Sequence, residues 1–137
     1  VGTDEFFEHT RLMTVKVKDV IIEKNPTVTR NATVADCLVK MTSGGFGAVT
    51  IVDNNNKAIG IFTDGDLRRL IEKEGGSAVT KNVGELKMNV PLSIDGNELL
   101  YAAQNLFKDK KVDELVVTLD GKVVGMIDVQ DIVKMNA

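Results

Sequence analysis

The chain has 137 residues, of which 43% are hydrophobic and 27% charged, with a net charge of −3; this is ordinary composition for one compact domain or two small repeats. The acidic balance offers no basic field to a phosphate backbone, five Phe, one Tyr and no Trp leave little for base stacking, and no apolar run reaches the roughly 20 residues of a membrane span. One cysteine, Cys37, and one histidine, His9, exclude an internal disulfide and a Cys/His zinc site, and leave a nucleophile–base pair only at the N-terminal end.

The chain opens on Val1 instead of Met, which reads as a piece of a longer protein, and it carries no signal-peptide pattern. With the lone cysteine this predicts a reducing, cytoplasmic setting. Residues 1–14 are polar and mixed, and predict a short helix or loose arm. Thr27–Thr29 then reads as a strand before a helix from Val34 to Met41, where Val34, Cys37, Leu38 and Met41 share one face. Thr33 and Asp36 form a capping pair at its start. The glycine-rich Ser43–Gly47 follows that helix and precedes a strand, so it reads as a helix end and turn, the reverse of a dinucleotide fingerprint. Ala48–Asp53, the Asn54–Asn56 turn and Lys57–Thr63 predict a hairpin, and a helix starts near Asp66.

The same order then returns. Leu92–Ile94 precedes a helix from Glu98 to Phe107, with Asp95 or Asn97 as its cap and Leu99, Ala103, Leu106 and Phe107 as its stripe. Lys108–Lys111 ends this helix, where cations suit the dipole. Glu114–Asp120, Gly121 and Lys122–Asp128 make a second hairpin. Gly60 answers to Gly125 and Asp66 to Asp131, each 65 positions on. The chain is thus an α/β protein of two β-α-β-β-α repeats, which bury more core as a pair than either buries alone. The expected division is an arm at 1–14, a first repeat at 15–75, a linker at 76–82 and a second repeat at 83–137.

The string from Gly60 to Arg69 is the candidate for chemistry. Thr63 offers a hydroxyl, Asp66 a carboxylate able to accept two hydrogen bonds from a ribose diol, and the helix start offers amides and a partial positive charge to a phosphate. Gly65 lets a ligand approach the backbone. Judged as a junction alone, Thr63 and Asp66 read equally as a helix cap. Of Arg68 and Arg69, one is placed to reach an anionic group, against the reading of a solvated helix face. No nucleophile, metal-ligand set or oxyanion hole accompanies Asp64 and Asp66, so the chain alone is not expected to be an enzyme.

Over about Val15 to Met135, this doubled Gly-h-h-Thr-x-x-Asp junction resembles the CBS domain family. The string Thr63–Arg69, with the stretch Arg11–Asp19, looks most like the C-terminal CBS pair of sugar-phosphate isomerases of the arabinose 5-phosphate isomerase type; related strings occur in CBS pairs of sugar nucleotidyltransferases. The resemblance implies two repeats packed as a pseudo-two-fold pair with a nucleotide-binding cleft between them. Thr63 and Asp66 would hold the ribose, Thr27 and Val28 would lie near the base, and Arg68 near an anion. Asp128 and Asp131 hold the same places in the second repeat, but Asp128 stands where Thr or Ser is usual. An ionised Asp128 cannot donate, and two carboxylates repel a phosphate, so that second site is expected to be weak or altered.

The resemblance further implies a regulatory module with an adenosyl, cytidyl or nucleotide-sugar effector and no required cofactor. Its partner would be an isomerase domain of the SIS type in cis, supplying the octulosonate pathway of lipopolysaccharide, and it would form homodimers. The alternatives are an oligomerisation module with no ligand, or the CBS pair of a nucleotidyltransferase.

Overall fold

The computed structural model describes residues 11–21, 26–45 and 47–135. The chain divides into two compact α/β units, one from Asn25–Pro91 and the other joining Val1–Lys24 to Leu92–Ala137. The first contains Thr27–Thr29 (β1), Val34–Gly44 (α1), Ala48–Val52 (β2), Ala58–Thr63 (β3) and Asp64–Glu74 (α2). The second contains Ser93–Asp95 (β4), Leu100–Lys110 (α3), Glu114–Leu119 (β5), Lys122–Asp128 (β6) and Val129–Met135 (α4). Their sheets run β1-β2-β3 and β4-β5-β6, each with a parallel pair followed by an antiparallel hairpin. A parallel pair needs a crossover, and α1 and α3 supply it.

Local chemistry sets the boundaries. Thr33 and Asp36 close a capping box at the start of α1, and Gly45 ends the helix in the left-handed region at φ 69°. Phe46 lies outside the described residues. In the first hairpin the Asp53 carboxylate accepts from the amides of Asn55 at 2.8 Å and Lys57 at 2.9 Å. The Lys57 amide does most to hold the Asp53 carboxyl below its ordinary range, aided by the Asn55 amide and by the charges of Lys57 and Arg30. The second hairpin is tighter. Asp120 and Gly121 both take positive φ, 53° and 78°, the backbone of a two-residue primed turn.

The cores repeat residue for residue. The first unit buries Val28, Val34, Cys37, Met41, Val49, Ile51 and Phe62; the second buries Ile94, Leu100, Ala103, Phe107, Leu115, Val117 and Ile127 at the matching places. The offset is 66 as far as Ile51 and Val117, then 65 at Phe62 and Ile127, because the second hairpin turn is one residue shorter. Both hairpins carry a bulge at the same step, between Ile51 and Val52 and between Val117 and Thr118.

The packing adds detail to these expectations. The linker at 76–82 is ordered: Gly75–Thr80 forms 3-10 turns, and Ala78 and Val83 are buried in the first unit. Asp95 and Asn97 do not cap α3. Asp95 instead binds the Asn97 amide, and the N-cap position falls to Leu99, which makes no side-chain cap bond. The Leu100 amide is satisfied by the Val15 carbonyl, so the core stripe begins at Leu100 instead of Leu99. Residues 15–20, which open the first repeat in sequence, pack in the second unit. Leu12 and Val17 belong to the core of the second unit, and the Lys18 amide binds the Gly96 carbonyl. Residues 11–14 are helical, whereas residues 1–10 of the expected arm, His9 among them, lie outside the described residues.

Candidate functional site

Strand β3 runs directly into α2, so Thr63 is both the last strand residue and the N-cap. Its Oγ accepts from the Asp66 amide at 3.1 Å, while Asp66 Oδ2 accepts from the Thr63 amide at 2.9 Å. The other carboxylate oxygen, Oδ1, accepts from Arg69 Nη2 at 2.7 Å. Both residues are half-buried, not packed away. The corner is therefore a complete capping box whose carboxylate carries a guanidinium on its outer side, and whose hydroxyl keeps its own proton to donate. A Cβ added to Gly65 would stand 3.3 Å from Arg69 Nη1 and 3.6 Å from Thr63 Oγ, which places the guanidinium over the helix start.

Asp66, Arg69, Leu70, Lys73 and Glu74 fall on one face of α2, at helical spacing. This face lines a crevice of about 360 Å³, together with Ile61 and Phe62 of β3, Lys81 and the stretch Glu85–Met88. Leu70, Leu86 and Met88 supply apolar surface. Lys81 pairs with Glu74, both on the crevice lining, and among the described residues Glu74 Oε2 is a buried oxygen with no hydrogen-bond partner. Gly60 lies on the same strand, β3: an added Cβ would meet Met88 Sδ at 2.6 Å and its Cβ at 2.9 Å.

The candidate residues divide. Thr63 and Asp66 stand together. Thr27 pairs with Thr50, which pairs with Ile61, so β1 begins at the sheet end where β3 stops at Thr63. Val28 turns the other way, 8% exposed, into the core with Val34 and Cys37. Arg68 is exposed and absent from the crevice wall; Arg69 occupies it instead. At the second junction the Asp128 carboxylate accepts from the Gln130 amide at 2.7 Å, and Asp131 accepts from the Asp128 amide at 2.8 Å. Asp128 thus serves as a helix cap, with its partner shifted by one residue from the Thr63 arrangement. Glu74 and Met88 escaped the sequence reading. The spacing from Asp66 to Glu74 could have exposed the first, but nothing local marks Met88.

The chain belongs to the CBS domain family, whose model matches residues 17–73 and 83–136. It is 34% identical over 119 residues to a probable arabinose 5-phosphate isomerase of Haemophilus influenzae, covering 86% of this chain and 35% of that protein. It is 33% identical over 128 residues to an arabinose 5-phosphate isomerase of Pseudomonas aeruginosa, covering 90% of this chain and 39% of the relative. The chain therefore spans little more than a third of these relatives. Among solved structures, the CBS domain of a membrane protein from Sphaerobacter thermophilus superposes with a TM-score of 0.81 at 16% identity, covering 98% of this chain and 94% of that one. A CBS domain protein from Pyrobaculum aerophilum complexed with AMP gives 0.75 at 13% identity, covering 85% and 89%. Among the described residues no helix is long and apolar enough to cross a membrane.

Proposed function

We propose that this CBS pair is the regulatory, nucleotide-binding module of a cytoplasmic sugar-phosphate isomerase of the arabinose 5-phosphate type, with an SIS-type catalytic domain in the same polypeptide. The observation that carries the ligand-binding part is the Asp66-lined crevice beside the strand-to-helix corner, which joins hydrogen-bonding and cationic groups to apolar surface. The isomerase part rests on the relatives that match along most of this chain. An adenine or cytosine nucleotide, or a nucleotide-sugar, would set its diol at Thr63 and Asp66 near Thr27, and shift the module between states of unequal affinity. The Asp128–Asp131 corner, bare of a hydroxyl, would bind such a ligand poorly.

Calorimetry with AMP, ATP, CMP and a cytidine-linked sugar tests the reading. Binding that weakens by about tenfold or more in Asp66→Ala but not in the matched cap variant Asp36→Ala supports it. No binding at millimolar nucleotide, or equal loss in both variants, overturns it.

A second reading, a module that self-associates, has its own observation. Val39 on α1 and Val133 on α4 are 65% and 53% exposed. An apolar groove of about 260 Å³ lies between α3 and α4. Light scattering that shows a dimer in the wild type and a monomer in Val133→Asp supports it; a monomer throughout removes it.

A further inference from the structure

Asp66 is the residue that the nucleotide reading assigns to a sugar diol, and each of its oxygens already accepts one hydrogen bond. Oδ2 is held by the Thr63 amide, a bond that also caps α2. Oδ1 is held by Arg69, whose side chain is 70% exposed. An exposed ion pair one helical turn apart is screened by water and yields readily to a competitor. A diol that binds Asp66 on this side competes with the guanidinium for Oδ1, and a displaced guanidinium, lying over Gly65 beside the Thr63 hydroxyl, needs another acceptor close by.

We propose that Arg69 is a specificity-determining residue of the crevice: its guanidinium is the exchangeable occupant of Asp66, so the site selects ligands that carry a phosphate as well as a diol. This rests on the nucleotide-binding reading above. A nucleoside phosphate displaces Arg69 with its hydroxyls and gives it a new bidentate partner in its phosphate. A neutral nucleoside displaces Arg69 and offers nothing in return. The surroundings fit an anion, since Lys73 and Lys87 join Arg69 on the lining against Glu85, once Lys81 is paired with Glu74. Arg68, exposed and off the crevice wall, takes no part.

The test measures AMP and adenosine, and separately CMP and cytidine, by calorimetry on the full chain in wild type, Arg69→Ala and Arg69→Lys. The wild type is expected to prefer the monophosphate by about tenfold or more, a preference that falls below about threefold in Arg69→Ala, through weaker nucleotide binding and stronger nucleoside binding, and is partly kept in Arg69→Lys. Strengthened nucleoside binding is the readout that a merely structural arginine would not give. A preference unchanged in Arg69→Ala overturns this proposal and leaves the nucleotide reading standing. Absence of binding by all four probes in the wild type overturns both. Arg69→Ala removes only an exposed pair and is expected to stay folded.

Discussion

The Leu100 amide donates to the Val15 carbonyl at 2.9 Å, and the Val34 amide donates to the Lys81 carbonyl at the same distance. Two more pairs repeat the relation: Val17 with Glu98 and Val83 with Ala32, then Lys18 with Gly96 and Gly84 with Arg30. In each unit the first turn of the crossover helix is anchored by a segment that lies in sequence ahead of the other repeat. The swap is reciprocal. Val17 and Val83 are its buried plugs, each fully buried in the core of the unit it joins.

It follows that residues 15–20 stabilise the second repeat and not the first. Val17→Ala is expected to cost about 2 kcal/mol, as a buried truncation with partial collapse of the cavity. Hydrogen exchange is the discriminating measurement. Amides of β5, β6 and α3 should lose protection well before those of β2 and β3. Val83→Ala should show the opposite pattern. Equal loss in both units for either variant would contradict the swap.

Gly60 and Met88 form a second dependent pair. The side chain of Met88 covers the strand where Gly60 lacks a Cβ, and both Sδ and the less mobile Cβ lie inside contact distance of an added methyl. Gly60→Ala is expected to destabilise by about 1–3 kcal/mol, the usual range for overpacking. Met88→Ala in the same chain should recover a substantial part of that loss. Additive effects in a double-mutant cycle, read from urea midpoints, would show that Met88 is not the obstacle.

Much of this fold was legible in the sequence because its signals are local. Alternating Val and Ile, the Asn54–Asn56 and Asp120–Gly121 turns, and Thr33 with Asp36 each declare an element within a few residues. The doubled junction at Thr63 and Asp128 declared the repeat. What stayed hidden was long-range. Val15 and Leu99 are far apart in sequence, so nothing near Leu99 shows that a distant carbonyl, instead of Asp95 or Asn97, satisfies the start of α3. Gly75–Ser77 has the composition of a linker, yet Ala78 and Val83 just beyond it are buried, which only the assembled unit reveals. At the candidate site the identity of Asp66 was legible, but the choice between Arg68 and Arg69 depended on helical phase relative to the crevice.

The two threonine caps separate folding from binding. Thr33 and Thr63 make the same capping box at 3.1 Å, yet only Thr63 stands at the proposed ligand corner. Thr33→Ala and Thr63→Ala should each lower stability by about 1 kcal/mol. Thr63→Ala alone should weaken nucleotide binding, and Thr63→Ser should restore both properties. Thermal melts paired with calorimetry check this. A nucleotide affinity that falls equally in Thr33→Ala would reduce Thr63 to a cap.

Cys37 tests the packing of the first unit by its chemistry. The side chain is fully buried on the inner face of α1. Burial, with the nearby negative charge of Asp36 adding to it, pushes the thiol from its ordinary 9.0 up to about 11. The folded value lies above the unfolded one, so this group's contribution to stability is complete below pH 9.0 and disappears as pH rises through about 11. Near pH 8 the folded chain holds far less thiolate than the unfolded one, and reagent access is blocked as well. Labelling by a disulfide reagent at pH 8 should therefore be much slower in buffer than in concentrated urea. Cys37→Ser should destabilise, since the hydroxyl would enter an apolar site lined by Val34, Met41 and Val49. Rapid labelling of the native chain would mean that α1 opens locally, and that its inner face is less tightly held than the packing around Cys37 implies.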